Sequence, residues 1–185
     1  MSLATDLEQL TADLSPDQQQ ELHHGEVILT GAEGDYVVYS LIKAPAAIVW
    51  RVLTDYEAFP EHLSSVVDSR ILERRENTVL VERKDRRKVG VLPIRVKIVT
   101  ENTEHPPERI DYRMVDGTLD EMEGSWQLNS IAHADESEQT LLIQSISAKA
   151  SMGPLQPYFF EVFESGLTGM TAELRSEMER QFAAQ

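Results

Sequence analysis

The stretch Leu92-Pro93-Ile94-Arg95-Val96-Lys97-Ile98 sets apolar side chains against Arg95 and Lys97, and Ile110-Asp111-Tyr112-Arg113-Met114 repeats the alternation after a short break. A period of two places one set on each side of an extended chain. Ile94, Val96 and Ile98 therefore share one face, as do Ile110, Tyr112 and Met114. A strand with one apolar and one charged side belongs to an antiparallel sheet that is wet on one face. That is the first element of the fold.

Outward from these two segments, strands are predicted over Val66 to Arg75, Thr78 to Arg86, Val89 to Thr103, Glu108 to Val115, Gly124 to Ile131 and Thr140 to Ala150. Glu76-Asn77, Asp116-Gly117 and Asp135-Glu136-Ser137 carry the turn chemistry between them. Such short links demand antiparallel neighbours, because parallel pairs need long crossovers. Upstream, Val27 to Leu29 reads as a short strand and Tyr36 to Lys43 as a long one, with Ala32-Glu33-Gly34-Asp35 turning between them. Ile48, Val49, Val52 and Leu53 then take helical spacing, and Asp55 stands as N-cap of a second short helix through Phe59, Pro60 and Leu63. The chain closes on a long helix entered at Pro154 and Pro157 and running to about Phe182. Its stripe is Phe159 or Phe160, then Phe163, Leu167, Met170, Leu174 and Met178. The fold class is α+β: a curved antiparallel sheet of about seven strands around one long C-terminal helix, with two short helices after the first long strand. Gly166 and Gly169 each weaken that helix by about 1 kcal/mol relative to Ala, tolerable if it bends or approaches another backbone.

The chain has 185 residues, the size of one domain with a short extension. Residues 1–25 read as a helical arm: Leu3, Leu7, Leu10 and Leu14 recur at helical spacing, Ser15 caps a second helix with Pro16 at its first position, and Gly25 stops it. Residues 26–185 are then the domain proper. Met1 to Leu14 carries Asp6, Glu8 and Asp13 and lacks a basic start followed by an apolar run, so it resembles no secretory or transit signal, and a cytoplasmic protein is expected. The net charge of −15 argues against nucleic acid as a partner. From Arg70 to Lys97, however, ten basic residues oppose four acidic ones. Their plain reading is the solvated face of a hairpin; the sharper one is a surface docking on an anionic membrane or an acidic partner.

The apolar faces of the strands share one cover, the C-terminal helix. A helix laid across a bent sheet touches it along a ridge, leaving either a hollow for an apolar small molecule or an interior filled with Phe, Met and Ile. Ile42-Lys43-Ala44-Pro45, followed by Val49-Trp50-Arg51-Val52-Leu53-Thr54-Asp55-Tyr56-Glu57-Ala58-Phe59-Pro60, resembles the opening of the START-like (SRPBCC) superfamily. The nearest branch is the polyketide cyclase/dehydrase group, which includes the coenzyme Q-binding START-like proteins. Asp116-Gly117 with Gly124-Ser125-Trp126-Gln127-Leu128 is similar to that family's glycine–glycine–tryptophan hairpin. The likeness spans about Tyr36 to Phe182. It implies the helix-grip fold and a cavity that takes lipids, isoprenoid quinones, polyketides or hormones, which some members cyclise or dehydrate and many only carry. His62 stands where relatives often have a leucine–proline pair, and the N-terminal arm lies outside the family core.

No chemistry-bearing motif accompanies the fold. With no cysteine and no His-x-x-x-His among His23, His24, His62, His105 and His133, no metal is expected. Glycine-rich phosphate loops and a Gly-x-Ser-x-Gly elbow are absent as well, and no cofactor is expected. Tyr112, His62 and the Asp120-Glu121-Glu123 cluster are the acid–base candidates, each with a structural reading beside it, and no catalytic residue is assigned. The expected wall of the hollow is Ile94, Val96, Ile98, Tyr112, Met114, Trp126, Phe159, Phe163, Leu167 and Met170, with Phe59 near the mouth. Three functions follow: carriage of a hydrophobic small molecule, a cyclase or dehydratase acting on a similar molecule, or an interaction module docking through Arg70 to Lys97.

Overall fold

A computed structural model describes residues 7–89, 92–132 and 138–185. Eight strands form one antiparallel sheet: β1 (Ile28–Ala32), β2 (Asp35–Ile42), β3 (Val66–Arg75), β4 (Thr78–Val89), β5 (Leu92–His105), β6 (Arg109–Gly117), β7 (Glu121–Ala132) and β8 (Glu138–Lys149). Their order is β1-β2-β8-β7-β6-β5-β4-β3. The short strand read at Val27 to Leu29 falls at Ile28–Ala32 and pairs along its whole length with β2.

From β2 the chain crosses to the far edge through α3 (Ala46–Thr54) and α4 (Phe59–His62), then meanders back strand by strand until β8 lies beside β2. Register breaks at Val66/Asp68, Ile71/Glu73 and Val99/Thr100 act as bulges that bend the strands. Strand β6 pairs with β7 only from Arg109 to Arg113, so its last residues leave β7 and open that end of the sheet. The turn there falls beyond Gly117, over residues 118–120, rather than on Asp116-Gly117, which still pairs with Val99 and Ile98. The turn expected at Asp135-Glu136-Ser137 lies outside the described residues.

Helix α5 (Gln156–Ala183) is 28 residues, about 42 Å, and lies across the concave face. Its predicted stripe is buried at Leu167, Met170, Leu174 and Met178, with Thr171 turned inward to donate its hydroxyl to the Leu167 carbonyl at 2.8 Å. Leu174 and Met178 complete the main core with Ile42, Val49, Val52, Leu63, Leu128 and Leu142. Asp55 does not cap by its side chain. The chain takes a 3₁₀ turn over Tyr56–Ala58 before α4 instead.

The convex face is wet only in part. Helix α1 (Leu7–Leu10) ends before Leu14, the last leucine of the predicted spacing, and Leu3 lies outside the described residues. Helix α2 (Pro16–His23) opens on Ser15 with a reciprocal capping box: Gln18 N donates to Ser15 Oγ at 3.3 Å and Ser15 N to Gln18 Oε1 at 2.9 Å. Leu7, Leu14 and Leu22 pack on Tyr39, Leu41, Leu141 and Ile143, covering the outer side of β2 and β8. Covered on both faces, Val38 to Ile42 and Thr140 to Gln144 are buried without a break. No helix among the described residues is long and apolar enough to cross a membrane.

Candidate functional site

Between the concave sheet and the N-terminal half of α5 lies a cavity of about 360 Å³. Its deep end is closed by Leu53, Phe59 and Leu63 from the α3–α4 crossover and by Leu174. Its outer end lies where β6 leaves β7, bounded by Thr118, Leu119 and Met122 on one side and by Met152 and Phe159 before and within α5 on the other. Phe159 and Phe163 of this rim stack with centroids 5.5 Å apart, and Phe163 meets the buried Tyr36 ring behind it at 5.9 Å. Tyr36 is fastened by a 2.7 Å hydrogen bond from its hydroxyl to Glu164 Oε1; burial, first, and that carboxylate push its pKa up to about 12.

Of the side chains expected in the wall, Phe59, Ile94, Val96, Ile98, Tyr112, Trp126, Phe159, Phe163, Leu167 and Met170 line the cavity. Met114 does not: it packs in the cluster with Ile98 and Tyr112, its sulfur lying over Gly117, where a Cβ would stand 2.9 Å from it. Gly124 has a definite task. A Cβ there would meet the Tyr112 hydroxyl at 2.6 Å and the Ser145 carbonyl at 2.2 Å, so only glycine lets Tyr112 lie flat across β7. Gln144 Nε2 donates to that hydroxyl at 2.9 Å, and Gln144 Oε1 is buried in the wall without a hydrogen-bond partner. Burial drives the Tyr112 pKa upward, so the phenol stays protonated near neutrality and offers no phenolate base.

The sequence reading missed a polar cluster. Arg83, Asp85 and Arg87, taken there as part of a solvated hairpin face, line the cavity from β4. They continue the inward phase of Val79 and Val81, which are fully buried, so the same period of two that places the apolar wall also carries three charges inside. Asp85 Oδ2 accepts from Arg83 Nη2 at 3.1 Å and from Arg87 Nη2 at 3.3 Å; Arg83 Nε stands 2.9 Å from Asp85 Oδ1 as an ion pair without hydrogen-bond alignment. The carboxylate is 5% exposed, against 19% and 22% for the two guanidinium side chains. Between Arg87 and α5 the space is supplied by Gly166, where a Cβ would sit 3.0 Å from Arg87 Nη1. Glycine there admits a side chain rather than another backbone. Others of the basic stretch do lie on the convex side: Arg70, Lys84 and Lys97 converge on Glu82 at 2.7, 3.6 and 3.3 Å, while Arg95 reaches the cavity and Arg74 pairs with Glu104.

The other acid–base candidates sit elsewhere. His62 Nδ1 is 3.7 Å from Glu177 Oε1, behind the cavity rather than in its wall. Asp120 accepts from Ser151 Oγ at 2.6 Å, and Glu121 accepts from Lys149 Nζ at 2.7 Å. Neither they nor Glu123 reach the cavity.

Comparison with known proteins matches this architecture. Residues 42–175 fit the family model described as polyketide cyclase / dehydrase and lipid transport. No curated protein sequence matches significantly. Among solved structures, an aromatase/cyclase from a Streptomyces species superposes with a TM-score of 0.62 at 18% identity, over 78% of this chain and 93% of that one. A STAR-related lipid transfer protein fragment from Xanthomonas axonopodis gives 0.59 at 18% identity, over 82% and 92%. A START superfamily protein from Mycobacterium smegmatis gives 0.58 at 14%, over 85% and 99%. At such identities the likeness is one of fold. Since the family model spans both the α3–α4 crossover and most of the gripping helix, this chain belongs to the polyketide cyclase/dehydrase and lipid transport family, with its START-like helix-grip fold.

Proposed function

We propose that the protein binds and carries one apolar small molecule, of lipid, isoprenoid or polyketide-like size, in the cavity beneath α5. The supporting observation is the cavity itself: a volume of about 360 Å³ walled by Phe59, Trp126, Phe159, Phe163, Ile94 and Ile98, in the size range of small-molecule sites. Burial of apolar ligand surface there is worth about 25 cal/mol per Å². Residues 26–185 build the site, and the N-terminal arm, through Leu7, Leu14 and Leu22, covers the outer side of β2 and β8.

Carriage is favoured over turnover by the state of the wall. A general base works best with a pKa near the operating pH. Burial pushes Tyr112 away from neutrality, and both Asp85 oxygens already stand against guanidinium nitrogens rather than free in the cavity. No histidine is among the described wall residues.

The test is to purify the protein under mild conditions, extract it with organic solvent and weigh the extract. In parallel, the emptied protein is titrated with the neutral fluorophore N-phenyl-naphthylamine. A stoichiometric apolar guest, or saturable probe uptake, is expected. A protein with neither guest nor uptake overturns the reading, and a guest recovered chemically altered after incubation shifts it to a cyclase or dehydratase.

A further inference from the structure

The charge inside the cavity is opposite to the charge of the molecule. The chain as a whole carries −15. Yet the charged side chains of the described wall are Arg83, Arg87 and Arg95 against Asp85 alone. Arg95 is exposed at the outer end, while Arg83 and Arg87 are mostly buried and share one carboxylate. One carboxylate balances one guanidinium. A second guanidinium held out of water is costly unless another anion pairs with it.

The donors point to the same deficit. A guanidinium has five N–H donors in a fixed fork suited to a planar carboxylate. Arg87 gives one hydrogen bond to Asp85, and its guanidinium lies against α5 at Gly166, which offers it no acceptor side chain. Arg83 gives one to Asp85 and a long 3.8 Å contact to Met170 Sδ. Donors remain on both, at the border of a cavity whose deep end is apolar, from Leu53, Phe59 and Leu63 to Trp126.

Building on the carriage reading above, we propose that the guest is an amphipathic monocarboxylic acid. Its carboxylate pairs with the unmatched guanidinium of the Arg83–Asp85–Arg87 cluster, and its apolar body fills the deep end toward Phe59 and Trp126. The cluster thereby selects an acid over the alcohol or ester of the same chain. Asp85 holds both arginines in position, so that the acceptor site exists before the ligand arrives and is not collapsed by mutual repulsion.

The experiment displaces bound N-phenyl-naphthylamine with dodecanoate, dodecanol and methyl dodecanoate at neutral pH. Charge-assisted pairing in a partly dehydrated site predicts that dodecanoate competes about tenfold or more better than either neutral analogue. In Arg87→Met that ratio falls toward one, and in Arg87→Lys, which keeps the charge and loses the fork, it falls part of the way. The carboxyl carbon resonance of labelled dodecanoate, followed through a pH titration, is expected to give a bound pKa below that of the free acid. Equal competition by acid, alcohol and ester in the unaltered protein overturns the proposal while leaving the carriage reading intact. So does an acid preference undiminished in both Arg87→Met and Arg83→Met. Failure of the neutral fluorophore to bind at all overturns the carriage reading, and this proposal with it.

Discussion

Over its last turns α5 presents Leu174 and Met178, which are 2% and 0% exposed and interlock with Val49, Val52 and Leu142. In its first half the same apolar stripe presents Phe159 and Phe163, which are only partly buried and border a void. Both halves show the helical spacing that marks a core-facing side. The difference lies in what stands opposite. The C-terminal half meets α3 and β8, where Val49 and Leu142 fill the space. The N-terminal half spans the end where β6 leaves β7 and where β4 turns charged side chains inward. One end of a single helix is packed solid, and the other borders the void that the carriage reading assigns to a guest. An amphipathic stripe alone does not separate the two.

Substitution at the two ends exposes the contrast most strongly. Met178→Ala removes a fully buried side chain and is expected to cost about 2–5 kcal/mol in urea unfolding with the probe affinity of the remaining folded protein little changed. Phe163→Ala, at the edge of an existing void, is expected to cost only about 1–2 kcal/mol, because less surface leaves contact. Its probe affinity is expected to drop about tenfold. Equal stability losses at the two positions break the division between a packed and an open half.

Acid adds an intermediate effect confined to the packed half. Hydrogen bonding from Arg180, then from Gln181, with the charge of His62, holds the Glu177 carboxyl down to about 2 against an ordinary value of 4.5. A depressed carboxylate stabilises the fold above its unfolded pKa, and that contribution disappears as pH falls from about 4.5 toward 2. The pair is near the surface, so the expected size is about 1–3 kcal/mol at neutral pH. Glu177→Gln should therefore be less stable than the unaltered protein at pH 7, and the two curves should converge at the acid end. Parallel curves across that window sink the assignment.

Much of this division was hidden in the sequence for a definite reason. Strand positions were legible because Ile94, Val96, Ile98 and Ile110, Tyr112, Met114 alternate cleanly, and Val66 to Arg75 is bounded as the hairpin signals require. Val38 to Ile42 of β2 and Thr140 to Gln144 of β8 show no alternation in burial, since Leu14 and Leu22 cover a face that a lone sheet leaves wet. Arg83, Asp85 and Arg87 escaped because a charged side chain is ordinarily read as outward-facing. The phase from Val79 and Val81 contradicted that habit. Where pattern phase and polarity disagree, the phase is the geometric constraint, and the disagreement itself marks a site.

The smallest effect gives the sharpest comparison, because it uses two glycines three residues apart in one helix. A Cβ on Gly169 would meet nothing within 4 Å, so Gly169→Ala is expected to gain about 0.5–1 kcal/mol from helix propensity alone. At Gly166 the same gain is opposed: the new Cβ lies 3.0 Å from Arg87 Nη1 and 3.2 Å from its Cζ, and the guanidinium has to move. The urea midpoint of Gly166→Ala should rise less than that of Gly169→Ala at equal slope, within a few tenths of a kcal/mol of no change. The shift of Arg87 should also reduce the preference for acid over alcohol, which Gly169→Ala leaves as it was. Identical gains at both positions mean that Gly166 makes no room for Arg87, and that the arginine is not held against α5.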